Sequence, residues 1–268
     1  MDKRLGPTFH RTFSLIRPGL SHVLRMADQH GACTKALLRI GSPLGPEQIN
    51  AMLRYAYGTR LTDSENRLTP LGKVITRHDP NLESQQTLWI LHYLLTGPNS
   101  LAPAFWPHVV RHLFRPESEV TTDGVSRVIF DFCTSVHEGT FSLPSARDCA
   151  TALLGTYSDD RSMGSLGILN KQAKGTYIVN EPQFPSLNTF AYVLADFWDA
   201  QFQSTVSTHL SAVTEGLTPI FLMGSAVLKQ ALGELQGHNL VRVQQRTSPY
   251  QVEKLWSSTD AILQKVYE

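Results

Sequence analysis

Apolar residues recur with the period of a helix through most of the chain. The segment PEQINAMLRYAY shows this most clearly, because its apolar residues stand at positions i, i+3, i+4 and i+7: Ile49, Met52, Leu53 and Ala56. We therefore predict an amphipathic helix whose opposite face is exposed to solvent. That face carries Glu47, Asn50, Ala51, Arg54 and Tyr55.

Two shorter helical patterns precede this segment, and a hairpin pattern follows it. The helices are RPGLSHVLRMADQHG and TKALLRI, and the hairpin places TRLT and RLT on either side of the turn formers DSEN. Pro70 then begins a fourth helix, PLGKVITRH. Three helices and a hairpin follow one another in the order of a winged helix-turn-helix. In that fold the third helix can enter the major groove of DNA, and the hairpin can touch phosphates.

From Pro80 onward the pattern is strongly helical, with two further hairpins. One falls in residues 167–180, and the other pairs LVRVQQ with YQVEKLW. We predict a mainly α protein with tandem winged-helix modules around a helical middle region. The predicted parts are an N-terminal basic winged helix-turn-helix (1–78), a helical middle region (79–142), a second winged-helix-like unit (143–184) and a C-terminal helical or winged-helix-like unit (185–268).

Composition narrows the class of protein. Hydrophobic residues are 41% and charged residues 18% of the chain, which is typical of a globular protein. The longest apolar runs are too short to span a bilayer, and the N-terminus lacks the apolar core of a secretory signal. The 3 cysteines form no CxxC pair and indicate neither a zinc cage nor a disulfide framework. We expect a cytoplasmic protein with no membrane partner.

Charge is distributed unevenly although the net charge is only +1. Residues 1–78 contain 12 Lys and Arg against 5 Asp and Glu, a net charge of +7, and the remainder is acidic. Such asymmetry favours polyanion binding by the basic part. The alternative is a dipolar protein whose two parts attract each other.

The predicted N-terminal module supplies the candidate DNA-binding residues. Asn and Arg can make bidentate contacts to adenine and guanine edges, which suits the exposed face of the third helix. Arginines flanking the tip of the hairpin are placed for phosphate contact. The full candidate set is Asn50, Arg54, Tyr55, Arg60, Arg67, Lys73, Arg11 and Arg17.

No set of residues amounts to a catalytic constellation. The chain lacks a GxxxxGK[ST] phosphate loop, and His108 and His112, one helical turn apart, lack the Glu of an HExxH motif. Asp159 and Asp160 lie in a polar segment that resembles a solvated linker. We expect a non-catalytic protein that needs no cofactor or metal. A metal-dependent nuclease using these residues is the least favoured alternative.

Six segments together resemble a bacterial family known as domain of unknown function 4007: FHRTFSLIRPGL, RLTPLGKVI, HDPNLESQQTLWILHYLLTGPN, FWPHVVRHLF, DCATALLGTYSDD and LGILNKQAKGTYIVNEP. The resemblance implies an accessory role beside DNA phosphorothioation genes in phage-defence clusters. The chain departs from the family pattern at Arg11, where an acidic residue is usual. It also has GSPLGPEQIN in place of a turn rich in glycine and asparagine.

The expected function is that of a DNA-binding accessory protein in a bacterial DNA-modification or defence system. Its partners would be duplex DNA and protein components of such a complex. Asp63 and Glu65 lie on the predicted hairpin tip and would repel phosphate. The main alternative is therefore an adaptor whose winged helices serve for protein packing, with the hairpin in residues 167–180 buried against a partner.

Overall fold

A computed structural model describes residues 3–40, 44–136, 141–246 and 248–268. These residues are mainly helical and include small antiparallel sheets of three strands each. The mainly α prediction is confirmed. Buried apolar side chains form one continuous core that runs from Phe9 to Val266.

The N-terminal unit consists of helices, most of which have a proline in the first turn. A 3-10 helix, Pro7–His10, precedes four α-helices: α1 (Arg17–His30), α2 (Lys35–Arg39), α3 (Pro46–Gly58) and α4 (Pro70–His78). Pro stands in the first turn of α1, α3 and α4, where the missing N–H costs no helical hydrogen bond.

The hairpin predicted between α3 and α4 is reduced to a tight turn. Thr62 and Leu68 form a single antiparallel bridge, and the Asp63 N–H donates to the Arg67 carbonyl at 2.9 Å. The prediction of two strands here is therefore wrong. The Asp63 carboxylate explains the tight turn, because its Oδ1 accepts the N–H groups of Glu65 and Arg67.

Helix α4 packs so closely on the chain before it that one position has no room for a side chain. A Cβ atom at Gly72 would overlap the Leu61 carbonyl oxygen. Glycine therefore lets the helix lie directly against the backbone of the turn.

Two buried helices form the centre of the molecule: α5 (Gln85–Thr96) and α9 (Leu187–Gln201). Residues 87–96 of α5 and 189–198 of α9 are buried on every side. A helix that is buried all round belongs in a core. The helices that pack on this pair include Phe105–Leu113, Ser225–Gly237 and Thr259–Leu263.

Two units with the same order of elements follow the N-terminal unit. The first comprises α6 (Phe105–Leu113), β1 (Glu119–Thr121), α7 (Thr122–Val136), α8 (Leu143–Ser158), β2 (Leu169–Ala173) and β3 (Thr176–Val179). The second comprises α9, β4 (Ser207–His209), α10 (Leu210–Phe221), α11 (Ser225–Gly237), β5 (Val241–Gln244) and β6 (Gln251–Lys254). Helix α12 (Thr259–Leu263) follows β6.

The two sheets also share one strand order. It is β1-β3-β2 in the first unit and β4-β6-β5 in the second, with all neighbours antiparallel. The hairpins β2–β3 and β5–β6 are those that the sequence predicts. Strands β1 and β4 were not predicted, because three residues are too few to show an alternating pattern. Strand β1 lies in the stretch predicted to be helical.

The basic N-terminal unit packs on the acidic remainder through a cluster that we call the seam: Arg60, Tyr93 and Asp196. The Arg60 guanidinium donates to both carboxylate oxygens of Asp196, at 2.9 and 2.7 Å. The Tyr93 hydroxyl donates to Asp196 Oδ2 at 2.8 Å. Arg60 and Asp196 are 136 positions apart in sequence. Their ion pair is an attraction between the basic N-terminal part and the acidic remainder of the chain.

No single helix within the four described ranges is both long and apolar enough to cross a membrane. Helices α10 and α11, which are bent at 114° to each other, satisfy that criterion only as a pair.

Candidate nucleic-acid interface

One face of α3 lines a surface cavity of about 540 Å³, which we call the α3 cavity. The helix contributes Asn50, Leu53, Arg54 and Tyr57. These residues stand at i, i+3, i+4 and i+7, so they form one continuous stripe along the helix.

The other walls come from three further segments of the chain. They are the N-terminal arm with Arg11, the start of α2 at Lys35, and the turn after α3. The arm is held in place by hydrogen bonds. The Tyr57 hydroxyl donates to the Lys3 carbonyl at 2.8 Å, and Arg4 Nε donates to the Ser100 carbonyl at 3.1 Å. The cavity is therefore built by the fold.

The α3 cavity is strongly basic. Its described lining includes five cationic side chains and one carboxylate, that of Asp63; the cations are Lys3, Arg4, Arg11, Lys35 and Arg54. One oxygen of Asp63 already accepts two backbone N–H groups of its turn. Like charges gathered around one cavity concentrate a positive potential there, which attracts anions.

Carboxylates near the α3 cavity neutralise little of its positive charge. Arg11 lies 3.6 Å from Glu47, but both side chains are more than half exposed, and such surface pairs contribute little. Lys35 and Arg54 form no ion pair with any carboxylate in the described ranges. Their charges are available to a ligand.

Asn50 adds hydrogen-bonding capacity to the cavity. Its Oδ1 is buried and has no hydrogen-bond partner among the described residues. A buried polar atom without a partner is costly, and a ligand that supplied a donor would remove that cost. Rotation of the amide exchanges its oxygen and nitrogen, so Asn50 can present either an acceptor or a donor.

The structure brings three of the predicted residues together at this cavity: Asn50, Arg54 and Arg11. The expected exposure of Tyr55 is wrong, since its side chain is fully buried. The Tyr55 hydroxyl donates to the Phe13 carbonyl at 3.0 Å, and its ring packs edge-on against Phe9. The physical reason is that α3 is packed on two sides, by α1 and by the segment around the 3-10 helix.

Arg60, which the sequence predicts as a phosphate contact, has a partner inside the protein. Its guanidinium is held in the seam by Asp196. Although burial alone would lower the pKa of Arg60, the hydrogen bonds and the charge of Asp196 raise it. Because Asp196 lies on α9, the ion pair holds the Arg60 side chain toward that helix and away from the turn after α3.

The remaining predicted residues lie outside the cavity lining. Arg67 pairs with Glu65 on the exposed turn, and Lys73 is exposed on α4. Arg17 donates to the backbone carbonyls of Leu82 and Asp160, so its role in this structure is to join segments of the chain.

Three cationic residues of the cavity were missed from the sequence: Lys3, Arg4 and Lys35. The only available signal was their contribution to the basic charge of residues 1–78. The arm has no periodic pattern that would show which way its side chains point.

Two buried histidines, His10 and His92, are hydrogen-bonded to neighbours inside the protein. His10 Nδ1 accepts the Thr12 N–H at 3.0 Å, which leaves the proton on Nε2, 3.3 Å from Cys149 Sγ. Burial lowers the pKa of His10 to about 4 and raises that of Cys149 to about 12. The pair is therefore neutral in the folded protein, and the imidazole N–H points at a protonated thiol.

His92 belongs to a hydrogen-bonded chain through the core. Trp106 Nε1 donates to the Tyr157 hydroxyl at 3.1 Å, and that hydroxyl lies 2.9 Å from His92 Nδ1. His92 Nε2 lies 2.7 Å from the Ile220 carbonyl and donates to it. Burial lowers the pKa of His92 to about 4. The histidine therefore links helices as a neutral group.

The residues considered as metal ligands contact neighbouring side chains. The rings of His108 and His112 are 4.4 Å apart, and His108 stacks on Phe132. Asp159 accepts hydrogen bonds from the backbone and side chain of Arg161. Among the described residues, no group of three or more His, Cys, Asp or Glu side chains could hold a metal ion.

Two crystal structures share the fold of the whole chain. The "Magnesium ion-bound SspB crystal structure" is 18% identical, with a TM-score of 0.77, and the match covers 99% of this chain and 87% of that one. The "SspB crystal structure" is 19% identical, with a TM-score of 0.75 and the same coverage. At this identity the likeness concerns the fold alone.

Comparison at the level of sequence gives the family. No curated protein matches the chain. One family model, described as "Protein of unknown function (DUF4007)", matches residues 8–267, nearly the whole length. The chain is therefore a member of the DUF4007 family.

Proposed function

We propose that the chain binds duplex DNA through the α3 cavity. The observation that carries this proposal is the convergence of Lys3, Arg4, Arg11, Lys35 and Arg54 around one cavity that contains a single described carboxylate. Phosphate contacts by Lys and Arg supply nearly all of the sequence-independent affinity of proteins for DNA. A site with several cations and few competing anions suits that role.

In this proposal the N-terminal unit acts as a winged helix-turn-helix with a minimal wing. Helix α3 is the third helix of the unit and carries Asn50 and Arg54 on its outward face. These two side chains would test base edges, while Lys3, Arg11 and Lys35 contact phosphates. The two later units, each with a helix–strand–helix–helix–hairpin order, would be further winged-helix modules.

We also propose that DNA binding serves a DNA-modification or defence complex, in which the acidic remainder of the chain contacts protein components. This part of the proposal rests on the family and on the charge asymmetry. The adaptor alternative keeps the protein contacts and dispenses with DNA.

The first test is fluorescence anisotropy of a labelled duplex over a salt series. We expect the logarithm of the binding constant to fall linearly with the logarithm of salt concentration. The double variant Lys35→Ala, Arg54→Ala should bind more weakly, with a slope smaller in magnitude by about 2. The matched control is Lys229→Ala, Arg246→Ala, which removes two exposed charges from the C-terminal part of the chain and should behave as the parent does.

Two outcomes would overturn the proposal. One is absent or salt-independent binding by a folded parent protein, which would favour the adaptor. The other is unchanged binding by the Lys35→Ala, Arg54→Ala variant, which would place any DNA contact elsewhere. Thermal unfolding of each variant should accompany the titrations, because both residues are exposed and their removal should leave the fold intact.

The second candidate function is cleavage of DNA that depends on a divalent metal, the least favoured alternative from the sequence. One structure of the same fold is that of a protein with a bound magnesium ion. The test is conversion of supercoiled plasmid to its nicked form, with magnesium or with a chelator. Activity that requires magnesium and is lost in His108→Ala or Asp160→Asn would support this candidate. Absence of nicking over a magnesium titration, by protein that binds the plasmid, would reject it.

A further inference from the structure

A second basic concavity lies between α8 and the β2–β3 hairpin, and we call it the hairpin groove. Its volume is about 630 Å³. Helix α8 provides Arg147 and Thr151, and the hairpin provides Lys171 and Lys174. It shares no lining residue with the α3 cavity among the described residues.

The hairpin is fixed in position by the start of α7. The Thr122 N–H donates to the Gly175 carbonyl at 2.8 Å, which fastens the turn. Gly175 has a φ of 78°, a conformation that other residues rarely adopt. Strand β1 pairs along β3 and continues directly into α7. The groove is therefore preformed, and a ligand would not have to order the hairpin.

The groove has the chemistry of a phosphate site. Three cations line it, and its one described carboxylate, Asp123, lies 3.1 Å from Arg147 Nη1. Both partners of that ion pair are exposed, so a competing anion can displace the carboxylate at little cost. Threonine hydroxyls, which are common phosphate donors, complete the lining: Thr121, Thr122, Thr151 and Thr176.

We propose that the hairpin groove is a second contact site for the phosphate backbone of duplex DNA. Helix α8 is the third helix of its unit and is followed by a hairpin, as α3 is followed by the turn at Asp63. In both units the third helix contributes an arginine to the concavity, Arg54 from α3 and Arg147 from α8. The hairpin after α8 adds Lys171 and Lys174. The inference rests on the proposed function, because it assumes that the same polyanion is bound.

The experiment compares the parent protein with Lys171→Ala, Lys174→Ala in the salt titration described above. The double variant should bind less tightly, and the log–log slope should fall in magnitude by about 2. Lys229→Ala, Arg246→Ala is the matched control, since it removes two exposed charges from the C-terminal unit. The control should keep the slope of the parent.

Asp123→Asn provides a test with the opposite sign. Removal of this carboxylate frees Arg147 and should tighten binding, with a slope greater in magnitude by up to about 1. General damage to the fold would weaken binding, so it cannot produce this result.

The failures of the two proposals are distinguishable. If the parent binds with a steep salt dependence but the Lys171→Ala, Lys174→Ala variant keeps its affinity and slope, the hairpin groove is not a DNA site and the α3 cavity proposal stands. If the folded parent fails to bind duplex at low salt, both proposals are rejected. Loss of slope in the double variant together with tighter binding by Asp123→Asn supports the groove.

Discussion

Arg54 and Arg60 are six positions apart in sequence, yet the seam and the α3 cavity place them in opposite surroundings. At the seam, Arg60 is largely enclosed and both of its terminal nitrogens donate to Asp196, whose side chain is only 7% exposed. At the cavity, Arg54 is exposed and shares its surroundings with other cations.

The difference follows from the cost of burying charge. A buried guanidinium needs a partner that replaces water, and the fold supplies one from α9. An exposed cation keeps its hydration and needs no partner. Cations that converge at a surface with few carboxylates therefore indicate a ligand site, whereas a buried ion pair indicates a structural role.

The largest expected effect is at the seam. Asp196→Ala leaves the Arg60 guanidinium without its carboxylate and the Tyr93 hydroxyl without its acceptor, so it should lower the free energy of unfolding by about 3–5 kcal/mol. Urea denaturation measures this change.

The control is Glu65→Ala, which removes the partner of Arg67 on the exposed turn and should change stability by less than about 0.5 kcal/mol. Equal effects of the two substitutions would contradict the distinction between the seam and the surface.

A smaller effect is expected from the two buried histidines when the solution is acidified. Unfolded imidazoles bind a proton below the usual pKa of 6.5, whereas His10 and His92 stay neutral in the folded state down to about 4. The free energy of unfolding should therefore decrease as the pH is lowered from 6.5 toward 4. At pH 5.5 the loss relative to pH 7 should be roughly 1–2 kcal/mol per histidine. His22 and His108, whose pKa values are also lowered, act in the same direction.

The measurement is denaturant unfolding at pH 7 and pH 5.5. His10→Gln should lose the part of this pH dependence that His10 contributes. A stability that stays level between the two pH values would show that these imidazoles are not held neutral in the folded protein.

The smallest expected change in stability comes from Tyr55 on α3, and its neighbour Arg54 provides the comparison. Tyr55→Phe removes the hydrogen bond to the Phe13 carbonyl and should cost about 1 kcal/mol of stability, with DNA affinity unchanged. Arg54→Ala should leave stability unchanged and weaken DNA binding, by about 1–3 kcal/mol where Arg54 reads a base. Loss of DNA affinity in a folded Tyr55→Phe protein would contradict this division.

The sequence predicted most of the helices and both regular hairpins, because their apolar periodicity is strong. It predicted the apolar face of α3 from Ile49, Met52 and Ala56. Burial of Tyr55 could not be read from that pattern, since a second packing surface comes from the segment around Phe9. The short strands β1 and β4 depend on pairing with distant hairpins and leave no local signal.

The sequence predicted those residues of the candidate site whose direction depends on local helical spacing, and it missed those that depend on contacts between distant segments. Asn50 and Arg54 lie on a helix, where spacing fixes direction, and the structure places both at the cavity. The position of the Arg60 side chain depends on Asp196, which is distant in sequence. Lys3 and Lys35 join the cavity only after the arm and α2 are packed.

The contact at Gly72 has a consequence for genetics. Any side chain there would push α4 away from Leu61, so alleles at this codon should reduce the amount of folded protein in the cell. A screen for loss of the biological activity would return them together with alleles at Arg54. Immunoblots of cellular protein levels would tell the two classes apart, with normal abundance expected for the Arg54 alleles alone.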